Sequence, residues 1–208
     1  MIDTQTMLIF FPTAVLLALS PGPDNLFVIA QSAQNGRAAG LVVTLGLCTG
    51  LVGHTLAVAF GLAAIVRASA MAFTILKAAG ALYLLYLAWQ AWRAGSGSGQ
   101  SGAAPAQTAP ALYRRGIVMN LTNPKVSLFF LAFLPQFADP RHGSMALQFL
   151  QLGGLFILAT LVVFGGVSIL AGGLGERFRR SPSSLKLINR IASVVFVGLA
   201  VKLAFSER

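Results

Sequence analysis

Acidic side chains are what this sequence has least of. Its 208 residues include five Asp and Glu against 15 Lys and Arg, and charged residues of both signs make up 10%. A soluble domain carries about 25% charged residues, because folding leaves a large exterior that water must wet. Here 56% of the residues are hydrophobic and the mean hydropathy is +0.79. Lipid as solvent removes the need for a polar coat, so the chain reads as an integral membrane protein. Cysteine is nearly absent too. The single Cys48 excludes an intramolecular disulfide and a membrane thiol–disulfide electron carrier, and it reads as a small packing residue. An intramembrane hydrolase needs a nucleophile with its base, or two aspartates; His54 has no nucleophile motif beside it and Asp24 is the sole acid in any apolar stretch. No metal-ligand set and no cofactor motif is present.

The net charge of +10 raises nucleic-acid binding, since basic patches neutralise phosphate. The basic residues do not cluster with stacking aromatics, however. They lie mostly between apolar runs, where topology signals belong. The N-terminus carries Asp3, lacks the positive region of a cleavable signal and shows no small-x-small cleavage pattern, so the first apolar run is read as a mature helix.

A hydrocarbon core of ~30 Å takes about 20 residues of helix. Six stretches meet or approach that length: Met7 to Ala33, Ala39 to Val66, Ala70 to Trp92, Ile117 to Phe137, Ala146 to Ala171 and Leu185 to Phe205. A segment rich in Gly, Ser and Ala from Gly95 to Ala111 reads as a solvated connection. It divides the chain into a half at 1–94, a linker at 95–112 and a half at 113–208. The connections after helices one, three and five hold eight Lys and Arg against four on the other side, which places both termini outside a cytoplasmic membrane. Tyr83, Tyr86, Trp89 and Trp92 beside Arg93 read as interface anchors.

Two three-helix halves have opposite orientations, and the first helix of each is interrupted. Leu19-Ser20-Pro21-Gly22-Pro23-Asp24 breaks helix one and Leu121-Thr122-Asn123-Pro124-Lys125 breaks helix four. Matching breaks point to an all-α membrane fold of six helices in two inverted repeats, with a site at the midplane. Proline removes a backbone donor and collides with the preceding turn. Ser20 with Pro21, and Asn123 with Pro124, carry the cap-then-proline pattern of a new half-helix, whose N-terminus favours negative charge. Asp24 follows the first break, and an acid in the membrane is costly and functional by default; its protonation is expected to respond to solute. Lys125 holds the matching place after the second break. It either pairs with Asp24 or snorkels to an interface. Asn25, Asn120 and Asn123 offer uncharged hydrogen bonds to a solute or to opened backbone. His54 is a proton relay or a structural histidine, Lys77 lies within snorkelling reach of the surface, and Gly46, Gly50 and Gly61 suggest close helix packing.

These residues resemble the lysine exporter and homoserine/threonine resistance family. Ser20-Pro21-Gly22-Pro23-Asp24-Asn25 is similar to its first-helix signature. Gln34-Asn35-Gly36-Arg37-Ala38-Ala39-Gly40, with Gly46, Gly50 and His54, looks like the family's next stretch of chain. Arg115-Gly116 through Asn120-Leu121-Thr122-Asn123-Pro124-Lys125, then Phe133-Leu134-Pro135-Gln136-Phe137, looks like its fourth-helix signature. The resemblance implies export of amino acids or close derivatives driven by the proton gradient. It points to Pro21–Asn25 and Asn120–Lys125 as translocation elements, with solute, protons and lipid as partners. Independently of the resemblance, a homodimer is one way for a short six-helix chain to bury its glycine-rich faces. The family accepts Asn or Asp at position 24, so a carboxylate there is not strictly implied. A passive channel, an exporter of another solute and a membrane scaffold are the other readings.

Overall fold

The computed structural model describes residues 2–20, 22–62, 70–93 and 107–174, with 190, 193–194, 197–198 and 200–201. Pro21, most of the linker and most of the sixth apolar stretch lie outside them, as does the side chain of Lys77. Every regular element among the described residues is helical. Helix α1 is Thr4–Leu19, α2 Pro23–Asn35, α3 Arg37–Leu56, α4 Ala70–Arg93, α5 Ala109–Thr122, α6 Pro124–Leu128 and α7 Met145–Leu174. A π-helical stretch, Ala57–Leu62, continues α3, while π turns over Phe129–Phe133 and a 3-10 turn over Leu134–Phe137 continue α6. The π turns were not legible in the apolar pattern; such i→i+5 insertions gather at functional sites.

Among the described residues two elements are long and apolar enough to cross a membrane, Arg37–Gly61 and Met145–Gly172. Two further pairs pass when each is taken as one bent span: α1 with α2, turned by 63°, and α5 with the Pro124–Phe137 segment, turned by 49°. Both interruptions read from the sequence are therefore real bends. The surface matches lipid. Leu8, Leu26, Met71, Leu82, Val118 and Val162 are exposed, while Asp24, Gln31, Ser32, Thr44, Asn120, Asn123 and Lys125 are buried.

Helix α3 is central, flanked by α2, α5 and α7. Its glycines set the spacing. A Cβ on Gly46 would fall on the Tyr113 carbonyl oxygen, and one on Gly50 would stand 2.7 Å from Asn120. On the facing helix a Cβ on Gly116 would stand 2.5 Å from Val43 O. Backbones that approach this closely are how lipid-embedded helices associate. Gly61 is not part of this seam, for no described residue lies within 4 Å of its Cβ position; the π stretch from Ala57 changes the winding before Gly61 is reached. Below the bends, Phe10, Phe129, Phe130, Phe133, Phe137 and Phe156 form a continuous aromatic core, with neighbouring centroids 5.0–6.3 Å apart.

Two boundaries differ from expectation. Helix α5 starts at Ala109 with Pro110 in its first turn, inside the stretch read as a solvated linker, because proline early in a helix gives up a donor that has no partner anyway. The N-cap of α2 is Gly22, with Pro23 first in the helix, and Ser20 instead ends α1. A residue before proline is driven to extended backbone. Ser20 and Gly22 both precede prolines, and both are extended, at φ −60°, ψ 133° and φ −172°, ψ 173°.

Candidate functional site

Each proline leaves one carbonyl without its helical donor, four residues earlier. For Pro21 that is Leu17 O, for Pro23 Leu19 O and for Pro124 Asn120 O. Buried carbonyls are seldom left unpaired, and each of these finds a partner. The Lys125 ammonium donates to Leu17 O at 3.1 Å and to Ser20 O at 3.0 Å. The Asn25 amide donates to Leu19 O at 3.1 Å and to Ser20 O at 2.7 Å. Asn120 O accepts from Asn123 N at 3.1 Å and from His54 Nε2 at 3.2 Å. His54 also lies against Phe130, with centroids 5.6 Å apart, so it serves the backbone that Pro124 opens.

The second break is capped as the sequence indicates. Asn123 is extended and its Oδ1 accepts from Lys125 N at 3.0 Å. Lys125 then runs across to the end of α1, passing close over Gly22. A Cβ there would stand 3.2 Å from Lys125 Nζ.

Asp24 occupies the first turn of α2, 4% exposed, facing the side chains of Asn123 and Asn120 and within electrostatic reach of Lys125 and His54. Of the two readings open for Lys125, a pair with Asp24 or snorkelling to an interface, the direct pair is not formed. Among the described residues the salt bridge is Asp139–Arg141, and none within 4.0 Å joins Asp24 to Lys125. The lysine is instead turned toward carbonyls that the prolines and the helix end leave open.

The two bends thus bring together Ser20, Gly22, Pro23, Asp24, Asn25, Asn120, Asn123, Pro124 and Lys125, with His54 at the rim; Pro21 lies outside the described residues. Among the described residues, five buried polar atoms here make no well-formed hydrogen bond: Ser20 Oγ, Asp24 Oδ1, Asn25 Oδ1, Asn120 Oδ1 and Asn123 Nδ2. Three are acceptors, one is a donor and one is a hydroxyl that does either. Unpaired buried polar atoms are costly, and such a group at the meeting of two bent helices suits a small polar solute. Sequence reasoning missed the close approach over Gly22, although the Pro-Gly-Pro pattern contains that glycine. It also missed Gln31 and Ser32, which continue the buried face of α2 beyond Asp24 and Asn25. Their i+7 and i+8 spacing from Asp24 was the available signal.

Bent helix pairs around a buried polar cluster, with an apolar exterior, define a polytopic helical membrane protein. The family model of LysE type translocators matches residues 15–207, and the chain belongs to that family. It is a family of translocators rather than enzymes. A homoserine/homoserine lactone efflux protein of Salmonella typhimurium is 35% identical over 192 residues, covering 92% of each chain. An uncharacterized membrane protein of Vibrio cholerae is 34% identical over 205 residues, 99% of each chain. Another, from Pseudomonas aeruginosa, is 34% identical over 195 residues, 91% of this chain and 90% of its own. No solved structure matches the chain significantly.

Proposed function

We propose that this chain is a secondary transporter that exports an amino acid or a close derivative from the cytoplasm in exchange for protons. The supporting observation is the set of unpaired atoms between the bends. A primary ammonium brings three donors and needs acceptors; Asp24 Oδ1, Asn25 Oδ1 and Asn120 Oδ1 are three buried acceptors at one junction, one of them a carboxylate. The Asn123 amide supplies a donor to a carboxylate or carbonyl of the same solute. Homoserine and homoserine lactone, named for the Salmonella relative, share the ammonium but not the free carboxylate. That difference makes the ammonium the recognised feature. Asp24 is its charged acceptor in this reading.

Alternating access follows from the two bends as levers: one half rocks against the other about a site that stays at the midplane. The inverted repeat and the external termini belong to this proposal, supported by the matched bends and by the excess of Lys and Arg after helices one, three and five. The test is efflux of preloaded labelled amino acids and lactones from proteoliposomes, with and without an imposed proton gradient. Saturable, gradient-accelerated release of a subset is the expected result. Unsaturable release points to a channel, and no release of any such solute by folded protein removes the proposal.

A further inference from the structure

Resting on the export reading, a second assignment concerns the carbonyls at the end of α1. Leu17 O and Ser20 O point at one nitrogen, the Lys125 Nζ, which lies 3.1 and 3.0 Å away in a residue 7% exposed. A helix C-terminus carries partial negative charge, and unwound carbonyls at half-helix ends are where coupled carriers hold their driving cation. We propose that the C-terminal end of α1 is a monovalent-cation seat filled in cis by the Lys125 ammonium, which makes Lys125, rather than Asp24, the group that exchanges the coupling proton.

Three features of the site support this. The lysine arises in the second bend and ends in the first, so it links the two levers. Its ammonium packs closely over Gly22, where a Cβ would stand 3.2 Å from Nζ. Among the described residues no carboxylate within 4.0 Å neutralises it, so the carbonyls and the more distant Asp24 are what hold the charge. The groups around it are few. Asp24 faces it from α2 and His54 approaches Asp24 from α3. Helix α1 offers carbonyls alone, α7 carries no charged residue, and on α4 the ionisable Lys77 has a side chain outside the described residues. Arg115 on α5 is turned away, stacked 4.6 Å over Phe27.

The step is a simple acid–base exchange. One N–H bond of the ammonium breaks, the electron pair stays on Nζ, and the proton passes to water on the side to which the site is open. The amine left behind keeps neutral hydrogen bonds, roughly half as strong as charge-assisted ones, and loses its attraction to the helix end. The link between the bends loosens. Reprotonation from the opposite side restores it.

The test is chemical rescue in proteoliposomes. Lys125→Ala vacates the seat, and gradient-driven efflux is expected to fall to the level without a gradient. Ethylamine, 2-methoxyethylamine and 2,2,2-trifluoroethylamine, added in turn, are primary amines of falling basicity that fit the seat. Restored efflux whose pH midpoint falls in the same order is the expected result. Restored efflux with a fixed midpoint assigns Lys125 a structural role and overturns the proposal, as does gradient-driven efflux by Lys125→Ala without any amine. Should amines fail to enter, Lys125→Arg decides: guanidinium donates to carbonyls but keeps its proton, so this variant must exchange solute yet ignore the gradient. An Arg variant that still responds to the gradient overturns the assignment. Wild-type protein inert toward every amino acid removes the export reading itself, a separate result obtained before any variant is made.

Discussion

Gly46→Ala tests how far the fold depends on backbone contact between α3 and α5. The new Cβ falls on the Tyr113 carbonyl oxygen and stands 3.1 Å from Gly116 Cα. Both obstacles are main chain, so no rotamer relieves them and α5 must move away. Overpacking costs about 1–3 kcal/mol, and a backbone obstacle belongs at the upper end. Alanine recovers about 1 kcal/mol of helix propensity, leaving about 2 kcal/mol of net loss, roughly thirtyfold in the folding equilibrium. Gly165→Ala in α7 is the matched control. No described residue lies within 4 Å of its Cβ position, so the propensity gain is what applies. Reversible unfolding in mixed micelles, followed by circular dichroism against the mole fraction of denaturing detergent, reads the difference. Equal midpoints for the two variants would refute the close seam.

Three further outcomes are expected. Gly50→Ala puts a Cβ 2.7 Å from the Asn120 side chain, so the half-saturating solute concentration in the efflux assay rises several-fold while the protein stays folded; an unchanged value separates Asn120 from the solute. Asp24→Asn keeps the volume but removes the charged acceptor, and since hydrogen bonds to charged groups contribute about 1.5–3 kcal/mol, half-saturation rises about tenfold or more. Unaltered affinity in that variant would remove Asp24 from the site. In the turn before α7, hydrogen bonds from the Arg141 side chain and backbone hold the Asp139 carboxyl down at about 2, from an ordinary 3.8. Its stabilising contribution is therefore complete above the ordinary value and lost as pH falls through about 2. A carbon-13 titration of that carboxyl reads the midpoint, and one near 3.8 contradicts the pairing with Arg141.

The bends and the seam were legible because their causes are local. Proline at 21, 23 and 124 and glycine at 46 and 50 each impose their geometry on whatever surrounds them. Even the orphaned carbonyls were implied, since a proline frees the oxygen four residues earlier. What the sequence does not contain is which side chain answers each one. Lys125 is 105 residues from Ser20, and its choice of carbonyls over Asp24 depends on the relative placement of two bends. The capping residue of α2 was misplaced for a smaller reason. Two prolines compete to start that helix, and extended backbone before each one leaves the second as the winner. The π turns at Phe129–Phe133 escaped because an apolar run reads the same whether its hydrogen bonds close at four residues or five.

The two breaks answer one another. Lys125, from the second, satisfies the carbonyls of the first, while Asp24, from the first, faces Asn120 and Asn123 of the second. Neither bend completes its polar partners from its own segment, so displacing one lever disturbs the chemistry of both. The proposed exchange requires such a junction to settle in two arrangements, since buried polar atoms left unpaired between them are costly. In the proposed mechanism, a solute that supplies the missing donor to Asp24, Asn25 and Asn120, and a proton that comes and goes at Lys125, act on the same junction from two sides. Coupling between solute and proton then needs no long pathway through the protein, only the shared geometry of the two bends.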